Sequence, residues 1–367
     1  MSVTILKGDC RDVLRALPDE SVHCIVSSPP YWRQRDYGVA GQLGLELTPE
    51  AYISDLVAIM REARRLLRSD GTAWINIGDK WASGGNGGGG SYMAERAAWA
   101  DKQNAKGWRS PPAGYKDKDL VGLPFMLGFA MRADGWFWRQ CNIWAKPNGM
   151  PESVSDRSTI SHEYVLQFSK RNDYWYDADA ARTPPAPSTE TRLAQDIDGQ
   201  AGSDRANGGT KTNGPMKAVG RKLTGSPHGR HALGSNMPAS ERRSDKQRGH
   251  TRRHADFNDR WDQMERDGQL ANGANLRSVW WISPAQYRDG HYAVMPDALA
   301  EICITAGCPK GGTVLDPFGG AGTTGLVADR LGRNAILIEL NPDYADMAER
   351  RIRSDGGMFA NVQTVVR

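Results

Sequence analysis

Residues 313–340, TVLDPFGGAGTTGLVADRLGRNAILIEL, decide the fold. Thr313–Leu315 predicts a buried strand, Thr323–Leu331 a helix and Ala335–Leu340 a second strand, and the nine residues DPFGGAGTT (316–324) form the turn between the first strand and the helix. Two strands joined through a helix lie parallel in one sheet. This stretch, followed by a helix from Pro342, therefore predicts an α/β protein.

The beginning of the chain repeats this alternation. Hydrophobic spacing predicts strands over 3–6, 22–26 and 72–77, and helices over 10–16 and from Pro49, where Thr48 is a good N-cap. A helix over 120–132, strands over 136–144, 164–168 and 279–282, and a helix over 296–306 complete the pattern. We expect a doubly wound, mostly parallel, Rossmann-like sheet.

Composition narrows the class of protein. The 367 residues are 39% hydrophobic and 25% charged, as in an ordinary soluble domain, and no stretch approaches the roughly 20 apolar residues that span a bilayer. The first residues carry acids where a signal peptide is apolar, so we expect a cytoplasmic protein without membrane contact. Five widely spaced cysteines without a CxxC pair predict reduced core residues and no metal site.

The middle of the chain differs from both ends. No aromatic residue occurs between Tyr176 and Phe257, so we divide the chain into a first core part (1–182), an insertion (183–277) and a second core part (278–367). Residues 205–253 carry a net charge of +10, which leaves −6 for the rest of the protein. A basic segment on an acidic body indicates a nucleic acid partner, although a solvated basic loop is the alternative.

A second glycine-rich segment, at 84–90, is expected either to close over DNA or to be disordered.

The DPFGGAGTT turn indicates a nucleotide-like ligand. Glycines allow the backbone to approach a ligand closely, and Glu339, 19 residues after Gly320 at the end of the next strand, is placed to accept hydrogen bonds from a ribose. Gly320, Gly322 and Gly325 also match GxGxxG, so a dinucleotide-dependent oxidoreductase is an alternative, although little chain remains after the motif for half a dehydrogenase. A phosphate-binding P-loop is excluded because no Lys-Ser/Thr pair follows the glycines.

A second motif, Ser28-Pro29-Pro30-Tyr31, follows the strand over 22–26. The two prolines have fixed φ angles and no N–H, so the Ser28 hydroxyl and the Pro29 carbonyl are presented as acceptors beside an aromatic ring. Such a site suits a planar amine. Taken alone, the tetrapeptide could be a polyproline turn.

Together the two motifs resemble the DNA amino-methyltransferases, specifically their circularly permuted beta subgroup, in which the catalytic tetrapeptide comes first and the cofactor loop last. The similarity extends over most of residues 1–182 and 278–367 and includes LKGD (6–9), GTAWINIGD (71–79), WAKPN (144–148), HEY (162–164) and HYAVMP (291–296). It implies a methyltransferase that uses S-adenosylmethionine, yields S-adenosylhomocysteine and needs no metal.

The resemblance assigns roles to residues of this chain. The expected catalytic residues are Ser28, Pro29, Pro30 and Tyr31. The expected cofactor-binding residues are Asp9, Asp316, Phe318, Gly319, Gly320, Gly322, Thr323 and Glu339. Asp9 is alternatively a helix N-cap and Phe318 a core residue. Lys146, Asn148, His162 and Glu163 are expected to support the pocket or to touch the backbone rather than to do chemistry. The insertion is expected to recognise the target sequence, with phosphate contacts from Arg221, Lys222, Arg242, Arg243, Arg252 and Arg253.

The expected reaction is direct methylation of an exocyclic amine on a base flipped out of duplex DNA. Ser28 at the head of the tetrapeptide favours the N4 amine of cytosine within this family, and the N6 amine of adenine is the alternative. A DNA-binding protein that has lost catalysis is a further alternative, which the intact motifs disfavour. A cognate restriction endonuclease is a candidate partner, and a monomer and a homodimer are both open.

Overall fold

The computed structural model of the protein describes residues 1–82, 112–149, 151–184, 273–285 and 294–366. In this part of the chain the strands are β1 (Val3–Lys7), β2 (Val22–Ser27), β3 (Leu67–Ile77), β4 (Trp81–Ala82), β5 (Asp119–Leu120), β6 (Phe137–Ala145), β7 (His162–Ser169), β8 (Val279–Trp281), β9 (Thr313–Asp316), β10 (Asn334–Glu339) and β11 (Val362–Val366). The helices are α1 (Cys10–Arg15), α2 (Pro49–Leu66), α3 (Leu123–Ala133), α4 (Asp297–Gly307), α5 (Thr323–Arg330) and α6 (Pro342–Gly356), and a 3₁₀ helix (Gly357–Phe359) follows α6.

One large sheet organises the fold. Its strand order is β11-β1-β10-β9-β2-β3-β7-β6-β8, and the six strands from β11 to β3 run parallel. β7 is antiparallel to both β3 and β6, β8 is parallel to β6, and β4 and β5 form a separate small sheet. The predicted α/β class with a mostly parallel, Rossmann-like sheet is confirmed. The circular permutation stays an inference from the family resemblance.

Helices cover both faces of this sheet. Ile25 of β2 lies in the core cluster formed with α1, α2 and α3, whereas its neighbours Cys24 and Val26 are buried outside that cluster. Because successive strand residues point to opposite faces, Cys24 and Val26 lie on the other face. A Cβ on Gly307, at the end of α4, would meet Cys24 Sγ at 3.0 Å, so α4 covers that second face. The sheet is doubly wound, as predicted.

Two elements begin three or more residues away from their predicted positions. The helix expected over 120–132 begins at Leu123, because Asp119–Leu120 pairs with β4 and Asp79 Oδ1 accepts hydrogen bonds from the amides of Gly122 and Leu123. β3 begins at Leu67 rather than Thr72, because the chain passes from α2 directly into the strand. β4, β5 and β11 were not predicted.

The chain divides into two compact units, Met1–Ala181 with Arg277–Arg367, and Arg182–Leu276. These boundaries lie within one residue of those expected for the insertion. In the second unit, Thr183 and Ala274 exchange two backbone hydrogen bonds (2.9 and 2.8 Å). The insertion's role in target recognition stays a prediction.

The cysteines lie mainly in the core. Cys10, Cys24, Cys303 and Cys308 are buried free thiols, as predicted, whereas Cys141 is half-buried. Burial raises the pKa of the Cys10 thiol to about 12. In the described ranges, no three or more His, Cys, Asp or Glu side chains are grouped so that they could hold a metal ion. None of the described helices combines the length and the apolar character that crossing a membrane requires.

Candidate active site

The two motifs meet at one edge of the sheet. β2 ends at Ser27, directly before the tetrapeptide 28–31, and β9 ends at Asp316, directly before residues 317–322, which we call the glycine loop. Because β2 and β9 are paired parallel neighbours, both loops leave the sheet side by side at its carboxyl edge, where open α/β sheets bind ligands. Both loops line a single cleft.

Asp316 joins the two loops. Its Oδ1 accepts hydrogen bonds from the Ser27 hydroxyl (2.5 Å) and the Phe318 amide (3.0 Å), and its Oδ2 accepts one from the Thr324 hydroxyl (2.7 Å). Burial raises the pKa of this carboxyl, and the three donors oppose that increase. Asp316 was expected to bind the cofactor. Asp316 lines the cleft, and its carboxylate also holds the start of both loops together, while its contact with the cofactor stays a prediction.

We expect Asp316→Ala to lower the free energy of unfolding by about 3 kcal/mol or more, because three buried donors lose their acceptor and an unsatisfied buried group costs about 1–3 kcal/mol. Asp316→Asn keeps an oxygen for Ser27 and Phe318, and the Thr324 hydroxyl can rotate to accept from the new amide, so its loss should be smaller. Urea denaturation of the three proteins measures both values. Equal losses in the two variants would contradict this assignment.

The glycine loop is shaped by packing as well as by access to the cleft. Gly319 and Gly320 line the cleft, but Gly322 does not. Gly322 precedes α5 with a φ of +79°, and a Cβ there would lie 2.8 Å from Ala348 Cβ of α6. A Cβ on Gly319 would meet Leu337 Cβ of β10 at 3.0 Å. These two glycines therefore allow the loop to pack against β10 and α6.

Glu339 closes the side of the cleft formed by β10. Its Oε2 accepts a hydrogen bond from the Gly320 amide (2.7 Å) and its Oε1 accepts one from the Asn341 amide (2.8 Å). Each carboxylate oxygen has two lone pairs, so each can accept one further hydrogen bond. Burial raises the pKa of Glu339 to about 7.

The remaining expected cofactor residues also face this cleft. Phe318 and Thr323 line it, and so does Asp9, which follows β1. Asp9 is also the N-cap of α1, since its Oδ1 accepts from the Arg11 amide (2.9 Å) and the Arg11 guanidinium binds the same carboxylate. The N-cap role of Asp9, which was the alternative, is therefore confirmed, and the same residue also lines the cleft.

The tetrapeptide lines the same cleft with all four of its residues. The Tyr52 hydroxyl of α2 donates to the Pro30 carbonyl (2.8 Å) and fixes the tetrapeptide to the core. Beside Tyr31 the cleft is lined by three polar residues: Asn76, Lys146 and Glu163.

Lys146 and Glu163 were expected to support the pocket, and they do line it, whereas Asn148 and His162 do not. Asn76 was missed, although its buried polar side chain in the apolar run of β3 was a signal. The six basic residues predicted to bind DNA (Arg221, Lys222, Arg242, Arg243, Arg252 and Arg253) and the glycines at 84–90 lie outside the described residues.

Comparison with known proteins agrees with this site. A family model described as DNA methylase, for the N6 and N4 type, matches residues 22–350. The Type II methyltransferase M.SmaI of Serratia marcescens is 36% identical over 357 residues, which cover 96% of this chain and 91% of the relative. M.Cfr9I of Citrobacter freundii is 34% identical over 356 residues, covering 96% and 88%.

Two solved structures share the fold. A DNA modification methylase from Thermus thermophilus, complexed with S-adenosyl-L-methionine, has a TM-score of 0.53 at 20% identity and covers 99% of this chain and 98% of its own. The PvuII DNA methyltransferase, described as cytosine-N4-specific, has a TM-score of 0.53 at 16% identity, covering 100% and 95%.

The family match favours methyl transfer over the dinucleotide-dependent oxidoreductase considered from the sequence, because the matched residues 22–350 include both the tetrapeptide and the glycine loop. A dinucleotide-dependent oxidoreductase is therefore set aside. The chain belongs to the DNA methylase family of N6 and N4 amino-methyltransferases, whose methyl donor is S-adenosylmethionine.

Proposed function

We propose that this protein transfers a methyl group from S-adenosylmethionine to the exocyclic N4 amine of cytosine in double-stranded DNA. The observation that carries the proposal is that the Ser28–Tyr31 tetrapeptide and the glycine loop line one cleft at the carboxyl edge of the sheet. Ser28 at the head of the tetrapeptide favours cytosine. The N6 amine of adenine is the second candidate, because Ser28 can accept a hydrogen bond from either amine.

The residues of the cleft fit the cofactor. A ribose carries two neighbouring hydroxyl donors, and the two Glu339 oxygens each retain capacity for one more hydrogen bond. The amide backbone of Gly319 and Gly320 and the ring of Phe318 line the space beside this carboxylate. We assign the ribose to Glu339, the methionine part to the glycine loop, and the adenine side to the region of Asp9. The cofactor supplies an electrophilic methyl group on a sulfonium.

The tetrapeptide prepares the amine for attack. The lone pair of an exocyclic amine is delocalised into the base, which makes the amine a poor nucleophile. The Ser28 hydroxyl and the Pro29 carbonyl accept its two N–H groups and turn the lone pair out of the ring plane. Neither proline has an N–H that could compete with the amine for these two acceptors. Holding the amine in line with the methyl group supplies much of the acceleration, since such positioning contributes up to about 7–11 kcal/mol in ideal cases.

The target base reaches this cleft only outside the double helix, at a cost of a few kcal/mol for flipping. Tyr31 offers it an aromatic surface. The unit Arg182–Leu276 supplies target recognition in this proposal, with phosphate contacts from the basic residues of 205–253. Because relatives are named Type II methyltransferases, a cognate restriction endonuclease is a candidate partner. A cytoplasmic location belongs to the same proposal.

The product identifies the substrate. We would incubate the protein with mixed-sequence duplex DNA and S-adenosylmethionine carrying an isotopically labelled methyl group, digest the DNA to nucleosides and analyse them by mass spectrometry. Labelled N4-methylcytosine is the expected product, and single-stranded DNA is the control for the duplex requirement. If the labelled product is N6-methyladenine, the substrate is adenine rather than cytosine. If the protein binds the cofactor but yields no labelled nucleoside, the proposal is refuted.

The raised pKa of Glu339 predicts that cofactor affinity depends on pH. The ionised carboxylate is the form that accepts two ribose hydroxyls, so with a pKa of about 7 the affinity should increase about tenfold from pH 6 to pH 8. Glu339→Gln should bind more weakly and without this dependence. Isothermal titration calorimetry over this range measures both effects, and a parallel pH dependence in Glu339→Gln would exclude Glu339 as its source.

Without cofactor, ionisation of the Glu339 carboxyl should lower the stability of the folded protein as the pH rises, whereas it raises the affinity for the cofactor. The pKa of Glu339 in the folded state lies above its ordinary value of 4.5, so the folded state holds the proton more tightly than the unfolded state. This contribution to stability is complete below about pH 4.5 and is lost as the pH rises towards 7. Thermal melts at several pH values, compared between wild type and Glu339→Gln, isolate it.

A further inference from the structure

Four polar side chains form a hydrogen-bonded cluster at the tetrapeptide side of the cleft. We call Tyr31, Asn76, Lys146 and Glu163 the tyrosine cluster. They come from separate parts of the sheet: Asn76 lies in β3, Glu163 near the start of β7, and Lys146 directly after β6. The pairing of β6 with β7 places Trp144 opposite Glu163 and so brings Lys146 next to it.

Glu163 is the centre of this cluster. Its Oε2 accepts hydrogen bonds from the Tyr31 hydroxyl (2.5 Å) and the Asn76 amide (2.9 Å), while its Oε1 binds the Lys146 ammonium. The Asn76 amide also donates to the Tyr31 hydroxyl oxygen (3.1 Å). The Glu163 side chain is only 17% exposed, so these contacts are shielded from solvent.

The tyrosine hydroxyl is therefore occupied by protein groups. Burial and the neighbouring Glu163 carboxylate raise the pKa of Tyr31 well above its ordinary value, so the hydroxyl keeps its proton and donates it in the hydrogen bond to Glu163. A Cβ at Gly78 would lie 2.9 Å from Tyr31 Cε2, so the absence of a side chain there makes room for the ring. The ring is held at its hydroxyl and packed against the backbone at Gly78.

We propose that Glu163 is a positioning residue for methyl transfer, and that it acts through Tyr31 by fixing the ring against which the target base lies. The inference rests on the proposed function, because it assumes that Tyr31 contacts the base. A carboxylate suits the position, since it has four lone pairs and no donor and can accept from tyrosine, asparagine and lysine together.

A glutamine at this position has the same shape but a donor of its own. In Glu163→Gln, the new NH₂ group must face either Tyr31 and Asn76 or the Lys146 ammonium, and in both orientations a donor meets a donor. The isosteric substitution therefore breaks the cluster without leaving a cavity. Because the cluster lies at the tetrapeptide and Glu339 at the glycine loop, cofactor binding should be unaffected.

The first test is a double-mutant cycle of Glu163→Gln with Tyr31→Phe, measured as the single-turnover rate of methyl transfer to DNA. Each single variant should be slowed about 10-fold, as expected for one hydrogen bond to a charged group, with unchanged cofactor affinity. The double variant should be no more than about 3-fold slower than the slower single variant, because both changes remove the same interaction. Effects that multiply to about 100-fold would show that Glu163 acts independently of Tyr31 and would overturn the proposal.

The second test removes the conflict that glutamine creates. In a Lys146→Met background, the glutamine NH₂ can face the vacated lysine position and its oxygen can accept from Tyr31 and Asn76. Glu163→Gln should then cost less than about 3-fold relative to Lys146→Met alone. An undiminished 10-fold loss in that background would contradict positioning through Tyr31. A Lys146→Met enzyme that retains its fold but transfers no methyl group would also contradict it, because Lys146 would then act on the base itself.

A measurement without catalysis separates this inference from the proposed function. In protein with ¹³C-labelled tyrosine, the Tyr31 ring should flip slowly in the wild type and rapidly in Glu163→Gln, with a shifted Cζ resonance. Unchanged Tyr31 signals would refute the role of Glu163. A wild-type protein that shows the expected ring signals but methylates no DNA would refute the proposed function and leave the contact between Glu163 and Tyr31 established.

Discussion

Tyr31→Ala is expected to slow methyl transfer about 100-fold while S-adenosylmethionine binds with nearly unchanged affinity. An aromatic ring stacked on a base contributes about 1–3 kcal/mol, which corresponds to about 5- to 150-fold. The alanine also removes the contact that the base needs for alignment with the methyl group. Tyr31 follows β2, whereas Glu339 ends β10, which lies on the other side of β9 in the sheet.

The comparison of two substitutions at this position makes the test specific. Tyr31→Phe keeps the ring and loses only the hydroxyl that donates to Glu163, so it should retain about 10 times more activity than Tyr31→Ala. Transfer rates under single-turnover conditions and cofactor titrations measure the two functions separately. A parallel loss of cofactor affinity and rate in Tyr31→Ala would show that the ring belongs to the cofactor site.

Gly320→Val is expected to weaken cofactor binding at least about 100-fold. Gly320 has a φ of +49°, which is unfavourable for a β-branched residue by about 1–3 kcal/mol, and it lines the cleft. Its amide also donates to Glu339 (2.7 Å), so a shift of the backbone would move the carboxylate assigned to the ribose. Loss of cofactor affinity should abolish methyl transfer at ordinary cofactor concentrations.

Gly332→Val is the matched control. Gly332 also has a positive φ (+73°), follows α5, and has no atom within 4 Å of the position of a Cβ. It should therefore suffer similar backbone strain and lose stability, but retain cofactor affinity. Calorimetric titrations together with thermal melts separate strain from binding. Similar losses of affinity in both variants would mean that strain, and not the position of Gly320 in the cleft, explains the effect.

The parts of the fold that depend on short-range pattern were predictable from the sequence. The turn within the motif 316–324, residues 317–322, lies between β9 and α5 as expected, because its glycines and the flanking apolar runs are contiguous in the chain. The start of α3 was not predictable, since its first amides are capped by Asp79, more than 40 residues away. β11 was missed because Val362 is its only buried residue and its apolar pattern is correspondingly weak.

The candidate site shows the same limit. The tetrapeptide and the glycine loop were found because each is a contiguous motif. The tyrosine cluster was only partly found, because Asn76 and Glu163 meet through the antiparallel pairing of β3 with β7, and nothing in the sequence alone reports which residues of two strands lie side by side. The bridging role of Asp316 was hidden for the same reason, since its partner Ser27 is 289 positions away.

The strand order also determines when each strand can pair with its neighbours during synthesis on the ribosome. β1 is made long before its two neighbours in the sheet, β10 and β11, because more than 300 residues separate them in the chain. At 5–20 residues per second, roughly 20–60 s pass before β10 exists, and until then both edges of β1 lack their partners. The contact order of this sheet is therefore high, which slows folding. A polypeptide truncated before β9 would be a half-sheet exposed to aggregation rather than a weak enzyme, so activity should require the strands from β9 to β11.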